Sequence, residues 1–270
     1  MKNTSVRQLR KQMIAGDRGL MLADLRIRSK FSGGQLTIPE LIDFYGIRGF
    51  GCIAITDRIN RQDGLIGLAM AGLGRTLTPA LFPIYRGILL SEMERAWERY
   101  RMVVIPGVEI ETCSLIGMRK TQILGLGVSR FFEPKDNILE MSNQIRAQGG
   151  LVIAAQPKRA HPETGLLWGQ RQELGHAIDA WEAGSGTRMH SEARSSGLPI
   201  IATSALRRPQ QINSWKTILH CEPRAEAILE AIRRQQLEFK FYREVVTGSH
   251  IPHPPTFDSG IELLDHGSLL

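Results

Sequence analysis

Cysteine is scarce in this 270-residue sequence, and long apolar runs are missing from it. The three cysteines lie far apart in no paired spacing, which argues against a disulfide framework or a thiolate zinc knot and is typical of a reducing compartment. No stretch approaches the roughly 20 apolar residues of a membrane span, and the basic N-terminus lacks the apolar run of a signal peptide. The sequence therefore predicts a soluble, cytoplasmic protein that has no membrane partner.

Aromatic residues are also few, at 6% of the chain, and no basic segment is interleaved with them. Nucleic-acid binding is therefore a disfavoured class, although the formal net charge is +7. The excess of positive charge is compatible with anionic partners but does not identify one. A hydrophobic content of 42% is enough for one large core or two modest ones.

Short apolar segments alternate with helical patterns from about residue 20 to residue 242. Extended segments are predicted at 20–25, 51–56, 102–105, 121–128, 151–155, 178–182, 199–203 and 237–242. This alternation predicts an α/β fold in which a parallel sheet carries helices on its outside. No linker interrupts it, so we expect a single domain over residues 1–242, of which 1–18 form an N-terminal extension. Residues 243–270, rich in Pro, Gly, Ser and His, are expected to form a loosely held tail.

Two segments have the pattern of a helix capping box. Thr37-Ile38-Pro39-Glu40 predicts a helix that runs to about Tyr45, and Ser91-Glu92-Met93-Glu94 predicts another that runs to about Tyr100. Further helices are predicted at 5–15, in pieces over 65–90, from a cap at Asp136 to Gln148, at 187–196 and at 223–234.

Polar residues follow strand after strand, at 26–34, 57–63, 109–112, 156–161 and 204–208. In barrels of alternating strands and helices, functional groups lie at the C-terminal ends of the strands. The first of these polar segments is the best candidate for a functional site. Strand alternation predicts that Asp24, Arg26 and Arg28 share one face beside a Ser32-Gly33-Gly34 loop. A solvated edge strand with a charged face fits this segment equally well.

Seven fragments, in order, resemble the polymerase and histidinol phosphatase (PHP) family. Asp24 to Ser29 corresponds to the family's Asp-Leu-His-x-His-Ser, and Pro106 to Ile110 keeps its Pro-Gly-Val-Glu-Ile intact. The other five fragments are 55–58, 122–125, 155–157, 178–182 and 203–207. The resemblance covers roughly residues 20 to 242 and implies a distorted, seven-stranded β/α barrel. Members of the family hydrolyse phosphoesters with two or three metal ions, which are Mn, Fe or Zn.

The resemblance also implies a set of former metal-ligand positions, and most of them are substituted here. They are Arg26, Arg28, Gly33, Arg58, Glu109, Gln122, Gln156, Ala205 and Arg207. Only Glu109 keeps the family's residue. A guanidinium has no lone pair to give at neutral pH and its charge repels a dication, and one carboxylate cannot hold a metal cluster. We therefore expect no metal cofactor and no metal-activated hydroxide.

Four of these positions hold arginines, namely Arg26, Arg28, Arg58 and Arg207, which supply more than half of the net charge. Two interpretations remain open. The guanidiniums form a pocket for an anion such as phosphate, whose oxygens match their forked donors. Alternatively they close the old site as buried salt bridges, with Arg26 or Arg28 on Asp24, Arg58 on Asp57, and Arg207 on Glu109.

These observations favour a non-catalytic, PHP-like protein that binds a phosphate-bearing small molecule, another anion or a partner protein. The alternative is a phosphoesterase that is still active, with Glu109 and Asp57 as candidate catalytic residues. Such an enzyme would use one metal ion on Glu109, Asp57 and either Asp24 or His161, or arginines alone to stabilise the transition state.

Overall fold

The computed structural model describes residues 20–61, 69, 72–113, 120–135, 137–155, 172, 175–244 and 261–264. The predicted helix over 5–15, the predicted cap Asp136 and the candidate residues Gln156 and His161 lie outside these ranges. The described residues contain one sheet of eleven strands. The strands are β1 (Leu20–Ile27), β2 (Cys52–Ile59), β3 (Val103–Cys113), β4 (Lys120–Leu126), β5 (Leu151–Ala154), β6 (Ala180–Ser185), β7 (Arg188–Met189), β8 (Ile200–Thr203), β9 (Ser214–His220), β10 (Leu237–Glu244) and β11 (Ile261–Leu264).

Four α-helices accompany the sheet in the described ranges. They are α1 (Ile38–Gly46), α2 (Phe82–Tyr100), α3 (Ile138–Arg146) and α4 (Ala225–Arg233). Short 3₁₀ helices occupy Lys30–Ser32, Gly175–Ala177, Ser191–Ser196 and Pro209–Ile212. No helix in these parts of the chain combines the length and the apolar character that a membrane crossing requires.

The sheet is mixed, so the prediction of a parallel sheet is wrong in part. The strand order is β11-β10-β9-β1-β2-β3-β4-β5-β6-β7, and β8 pairs with β6 outside this path. Strands β1, β2 and β3 are parallel, as are β5, β6 and β8, whereas β4 is antiparallel to both of its neighbours. The connection from β3 to β4 is too short for the crossover that parallel strands need. Strand β9, which sequence analysis missed, pairs antiparallel with β1 and β10.

The sheet curls so that the chain beyond β8 meets the end of β1. Leu206 and Ile27 form a parallel bridge. The Leu206 N–H donates to the Arg26 carbonyl at 3.0 Å, and the Arg28 N–H donates to the Leu206 carbonyl at 2.9 Å. This curvature brings residues that follow β8 beside residues that follow β1.

Each face of the sheet is covered by its own apolar core, as strand alternation dictates. On one face Ala23 and Leu25 belong to a cluster that includes Ile228 and Ile232 of α4. On the other face Leu22 belongs to a larger cluster with side chains from α1, α2 and α3. The polar site described below is formed by residues in or next to β1, β2, β3 and β6.

The helix boundaries agree with the sequence where local capping decides them. At α1 the Thr37 hydroxyl accepts from the Glu40 N–H at 3.3 Å, and a Glu40 carboxylate oxygen accepts from the Thr37 N–H at 2.7 Å, which confirms that capping box. The second capping box is wrong, because Ser91 lies inside α2, a helix that begins at Phe82. Asn137 caps α3 by accepting from the Leu139 N–H at 2.9 Å.

Two further segments differ from the expectation. Residues 187–196, predicted as a helix, contain β7 and a 3₁₀ helix. Of the predicted C-terminal tail, residues 243 and 244 extend β10, and Ile261–Leu264 form β11 antiparallel to it.

Candidate functional site

Glu109 on β3 lies at the centre of a buried polar cluster and is 1% exposed. Its Oε2 accepts from the Nε of Arg26 at 3.2 Å and from the Nε of Arg28 at 3.0 Å. Its Oε1 accepts from the Nη2 of Arg58 at 3.1 Å, and also from the Nη2 of Arg28 and the Nε2 of Gln122. One carboxylate therefore receives five hydrogen bonds, from three guanidiniums and one amide.

Two more glutamates complete the charge balance. The Nη1 of Arg26 donates to both carboxylate oxygens of Glu182, at 3.1 and 2.8 Å, and the Thr203 hydroxyl donates to the same carboxylate. The Nη2 of Arg58 lies 2.6 Å from Oε2 of Glu111. We call these six residues the arginine–glutamate cluster: Arg26, Arg28, Arg58, Glu109, Glu111 and Glu182.

The register of the strands explains why this cluster forms. Arg58 of β2 is the Cα partner of Glu109 on β3, and Glu111 is the partner of Gln122 on β4. Along β1 the pairing shifts between Asp24 and Ile27, as at a β-bulge. Arg26 lies within this shift, and its side chain contacts Glu109.

Asp24 makes contacts different from those of Arg26 and Arg28, so the predicted salt bridge of Arg26 or Arg28 with Asp24 is wrong. Its carboxylate accepts from the Tyr45 hydroxyl at 2.8 Å and from the Ser204 N–H at 3.0 Å, and lies 3.4 Å from Nζ of Lys216. Asp24 and Lys216 are fully buried. Burial lowers the pKa of Lys216, and the charge of Asp24 offsets only part of that effect.

Asp57 does not pair with Arg58 as predicted. It accepts from the Ser29 N–H at 2.9 Å, from the Ser29 hydroxyl at 2.7 Å and from the Ser32 hydroxyl at 2.5 Å. Burial raises the pKa of Asp57, and these hydrogen bonds offset part of the increase. This carboxylate anchors the loop that follows β1.

The charges inside the cluster hold one another in the ionised state. Burial alone would raise the pKa of Glu109, but the charges of Arg26, Arg28 and Arg58 lower it well below its usual range. Burial lowers the pKa of Arg28 to about 10, against the attraction of Glu109. Burial also acts to lower the pKa of Arg26, but the charges of Glu182 and Glu109 outweigh it and raise that pKa. Glu109, Arg26 and Arg28 are therefore charged at neutral pH.

Arg207, the fourth predicted arginine, lies exposed at the rim of the cluster. Its guanidinium is near enough to interact electrostatically with Glu109 and Arg58. In the part of the chain that the structure describes, it forms no ion pair, so the predicted Arg207–Glu109 salt bridge is wrong. The backbone just before it is strained, because Ala205 has a φ of 52°.

The described donor set does not fit the metal cluster that the PHP resemblance implies. Gly33 and Ala205 have no side-chain donor, and the arginines have no lone pair. Both Glu109 oxygens are engaged by cations and by Gln122. Within the described ranges no group of three or more His, Cys, Asp and Glu side chains could hold a metal ion.

Sequence reasoning identified Arg26, Arg28, Arg58 and Glu109, which the structure brings together. It missed three charged residues that determine the local pairing, namely Glu111, Glu182 and Lys216. The first two stand inside or beside quoted fragments, and only the strand register shows which guanidinium each one meets. Lys216 gave little signal, because it lies on the strand that the sequence analysis missed.

The fold is similar to that of known PHP-like proteins. A two-domain protein from Bacteroides vulgatus that contains a predicted PHP-like metal-dependent phosphoesterase superposes with a TM-score of 0.61 at 18% identity. The match covers 84% of this chain and 66% of that one, so this chain spans just under two thirds of that protein's length. The resemblance of the sequence to PHP proteins is thus confirmed at the level of the fold.

Two other solved structures are more distant. An amidohydrolase from Chromobacterium violaceum with bound sulfate and no metal has a TM-score of 0.47 and 17% identity, over 69% of this chain and 88% of that one. PsfC from Pseudomonas syringae has a TM-score of 0.49 and 11% identity, over 83% and 92%. Because both TM-scores are below 0.5, these two structures support no conclusion about this chain. No protein-family model and no curated protein matches the sequence.

Proposed function

We propose that this chain is a PHP-fold protein that binds a phosphate-bearing or other anionic ligand and does not hydrolyse it. The observation that carries the proposal is the saturation of Glu109. A carboxylate offers about four lone-pair sites, and Glu109 receives five hydrogen bonds. Glu109 would have to give up one of these partners before it could bind a metal ion or accept the proton of an attacking water.

The charge balance supports anion binding at the rim. Inside the cluster three arginines face three glutamates, so their formal charges cancel. Arg207 adds a further positive charge that interacts electrostatically with Glu109 and Glu111 but forms no ion pair in the described chain. A guanidinium that is not paired internally is available for an external anion.

We also propose that the sheet is the distorted (β/α)7 barrel of the PHP type, built from β1 to β6 and β8. The bridge between Leu206 and Ile27 supports closure, because it links the chain after β8 to β1. In such a barrel the arginine–glutamate cluster would occupy the C-terminal mouth, where these folds carry their functional groups.

An active phosphoesterase is the alternative, and the shared fold of the Bacteroides vulgatus protein is what favours it. In that case the arginines would stabilise the charge of the transition state without metal. Arg26 and Arg28 are poorly suited to this role, since they are 2% and 4% exposed and already bonded to glutamates.

Elemental analysis combined with turnover and binding assays tests the proposal. Protein expressed with excess Mn, Fe and Zn should retain far less than one metal ion per chain. A panel of aryl and alkyl phosphoesters should not be turned over, with or without added Mn, while inorganic phosphate should bind saturably by titration calorimetry. Stoichiometric metal, or turnover of a phosphoester by the wild-type chain, would establish the phosphoesterase instead.

A further inference from the structure

An open cavity of about 720 Å³ lies beside the cluster, on the segment that follows β8. Its lining residues are Gln35, Ala205, Arg207, Arg208, Gln210 and Gln211. The volume is in the range of small-molecule sites. Unlike Arg26 and Arg28, both arginines of this cavity are exposed to solvent, and neither forms an ion pair in the described chain.

The backbone that presents these two arginines is fixed on several sides. The Arg207 N–H donates to Oε1 of Gln211 at 2.8 Å, and the Arg208 N–H donates to the same oxygen at 2.9 Å. The Arg207 carbonyl accepts from the Gln35 N–H at 2.8 Å. On the other side of Ala205, the Ser204 N–H is held by Asp24 at 3.0 Å. The backbone of this segment is therefore already ordered, and binding has to order only the side chains.

The side chains of the cavity are suited to an anion. Because Oε1 of Gln211 is occupied by two backbone donors, the free hydrogen-bonding group of that amide is its NH₂, which donates. Together with two guanidiniums it forms a set of donors, which matches phosphate oxygens.

The rest of the lining indicates what the phosphate is attached to. Gln35 and Gln210 offer amides that both donate and accept, as sugar hydroxyls require. The lining described here contains no aromatic or long aliphatic side chain that would stack on a base or hold an acyl chain.

From these observations we infer that the rim cavity is a binding site for the phosphate group of a small polyhydroxylated phosphomonoester, such as a sugar phosphate. Arg207, Arg208 and Gln211 bind the phosphate, and Gln35 and Gln210 bind the hydroxyl groups. This inference rests on the proposed function and extends its rim site from Arg207 to Arg208 and the glutamines of the cavity.

Calorimetric titration of the full chain with inorganic phosphate, ribose 5-phosphate and ribose tests this inference. The double variant Arg207→Gln/Arg208→Gln should bind both phosphates about tenfold or more weakly, because charged hydrogen bonds are lost. The matched control is Arg233→Gln/Arg234→Gln, which removes two adjacent exposed arginines at the C-terminal end of α4 and should change affinity less than about twofold. The double variant Gln35→Ala/Gln210→Ala should weaken the binding of ribose 5-phosphate and leave the affinity for inorganic phosphate unchanged.

Three results would overturn the inference. An equal loss in both arginine double variants would show non-specific attraction to net charge. Loss of phosphate binding in Arg58→Gln, but not in Arg207→Gln/Arg208→Gln, would place the anion in the buried cluster and leave the proposed function intact. Failure of the wild-type chain to bind any of the phosphates would remove the proposed function as well.

Discussion

At the scale of single residues, Glu109 shows how a charged group is kept deep in this protein. Moving a carboxylate and three guanidiniums out of water is costly, and only their mutual contacts offset that cost. The pairing is asymmetric, because removal of Glu109 leaves Arg28 buried without its ion-pair partner, whereas Arg26 keeps Glu182 and Arg58 keeps Glu111. The cluster is therefore much more sensitive to a change at Glu109 than to one at an exposed glutamate.

We predict that Glu109→Gln lowers the free energy of unfolding by about 3–5 kcal/mol at pH 7. The pKa of Glu109 is lowered in the folded state, so its ionised form adds stability above about pH 4.3, its ordinary value. That stability is lost as the pH falls towards the folded-state pKa. In chemical unfolding at pH 7, 4 and 3, the free energy of unfolding should therefore fall less between pH 4 and pH 3 in the variant than in the wild-type chain.

The control for this prediction is Glu230→Gln, because Glu230 pairs with Arg233 and Arg234 on the exposed surface of α4. Glu230→Gln should lower the free energy of unfolding by less than about 1 kcal/mol and leave its pH dependence unchanged. A Glu109→Gln variant as stable as this control would show that the cluster contributes nothing to folding.

At the scale of the secondary-structure elements, caps and register decide different things. Thr37 and Glu40 exchange hydrogen bonds at the start of α1. Ser91 and Glu94 have the same spacing, but they lie inside α2, a helix that begins earlier at Phe82-Pro83. A capping pattern predicts a helix start only where the preceding residues do not already form a helix.

This difference gives a paired prediction. Thr37→Ala should lower the free energy of unfolding by about 1 kcal/mol, since it leaves an N-terminal N–H without its partner. Ser91→Ala, at an exposed position inside α2, should be neutral or raise it by a few tenths of a kcal/mol, because alanine favours the helix interior. Urea unfolding of the two variants measures both, and equal destabilisation would contradict the assignment of Ser91 to the helix interior.

At the scale of the whole molecule, one sheet connects the described strands from β11 to β7. The two apolar cores lie on opposite faces of that sheet and share its backbone. Neither core can be lost without exposing the strands on which the other depends. The described chain is therefore expected to behave as one cooperative unit.

Cooperative unfolding can be tested with the native tryptophans. Trp181 on β6 is fully buried and reports on packing, whereas far-UV circular dichroism reports on the backbone. We predict that the two urea transitions coincide within error. A fluorescence transition at clearly lower urea than the dichroism transition would reveal a populated intermediate, which chains of this length can form.

The sequence by itself determined most of the strands, the first helix cap and the PHP type of fold, because these follow from local periodicity and from short ordered fragments. It also identified Arg26, Arg28, Arg58 and Glu109 as neighbours. Only the tertiary structure decided which charges pair. Asp24 contacts Tyr45 and Ser204 whereas Arg26 contacts Glu109 and Glu182, and the register of β2 on β3 places Arg58 against Glu109. Such pairing depends on hydrogen bonds between strands that are distant in sequence, and no local pattern encodes it.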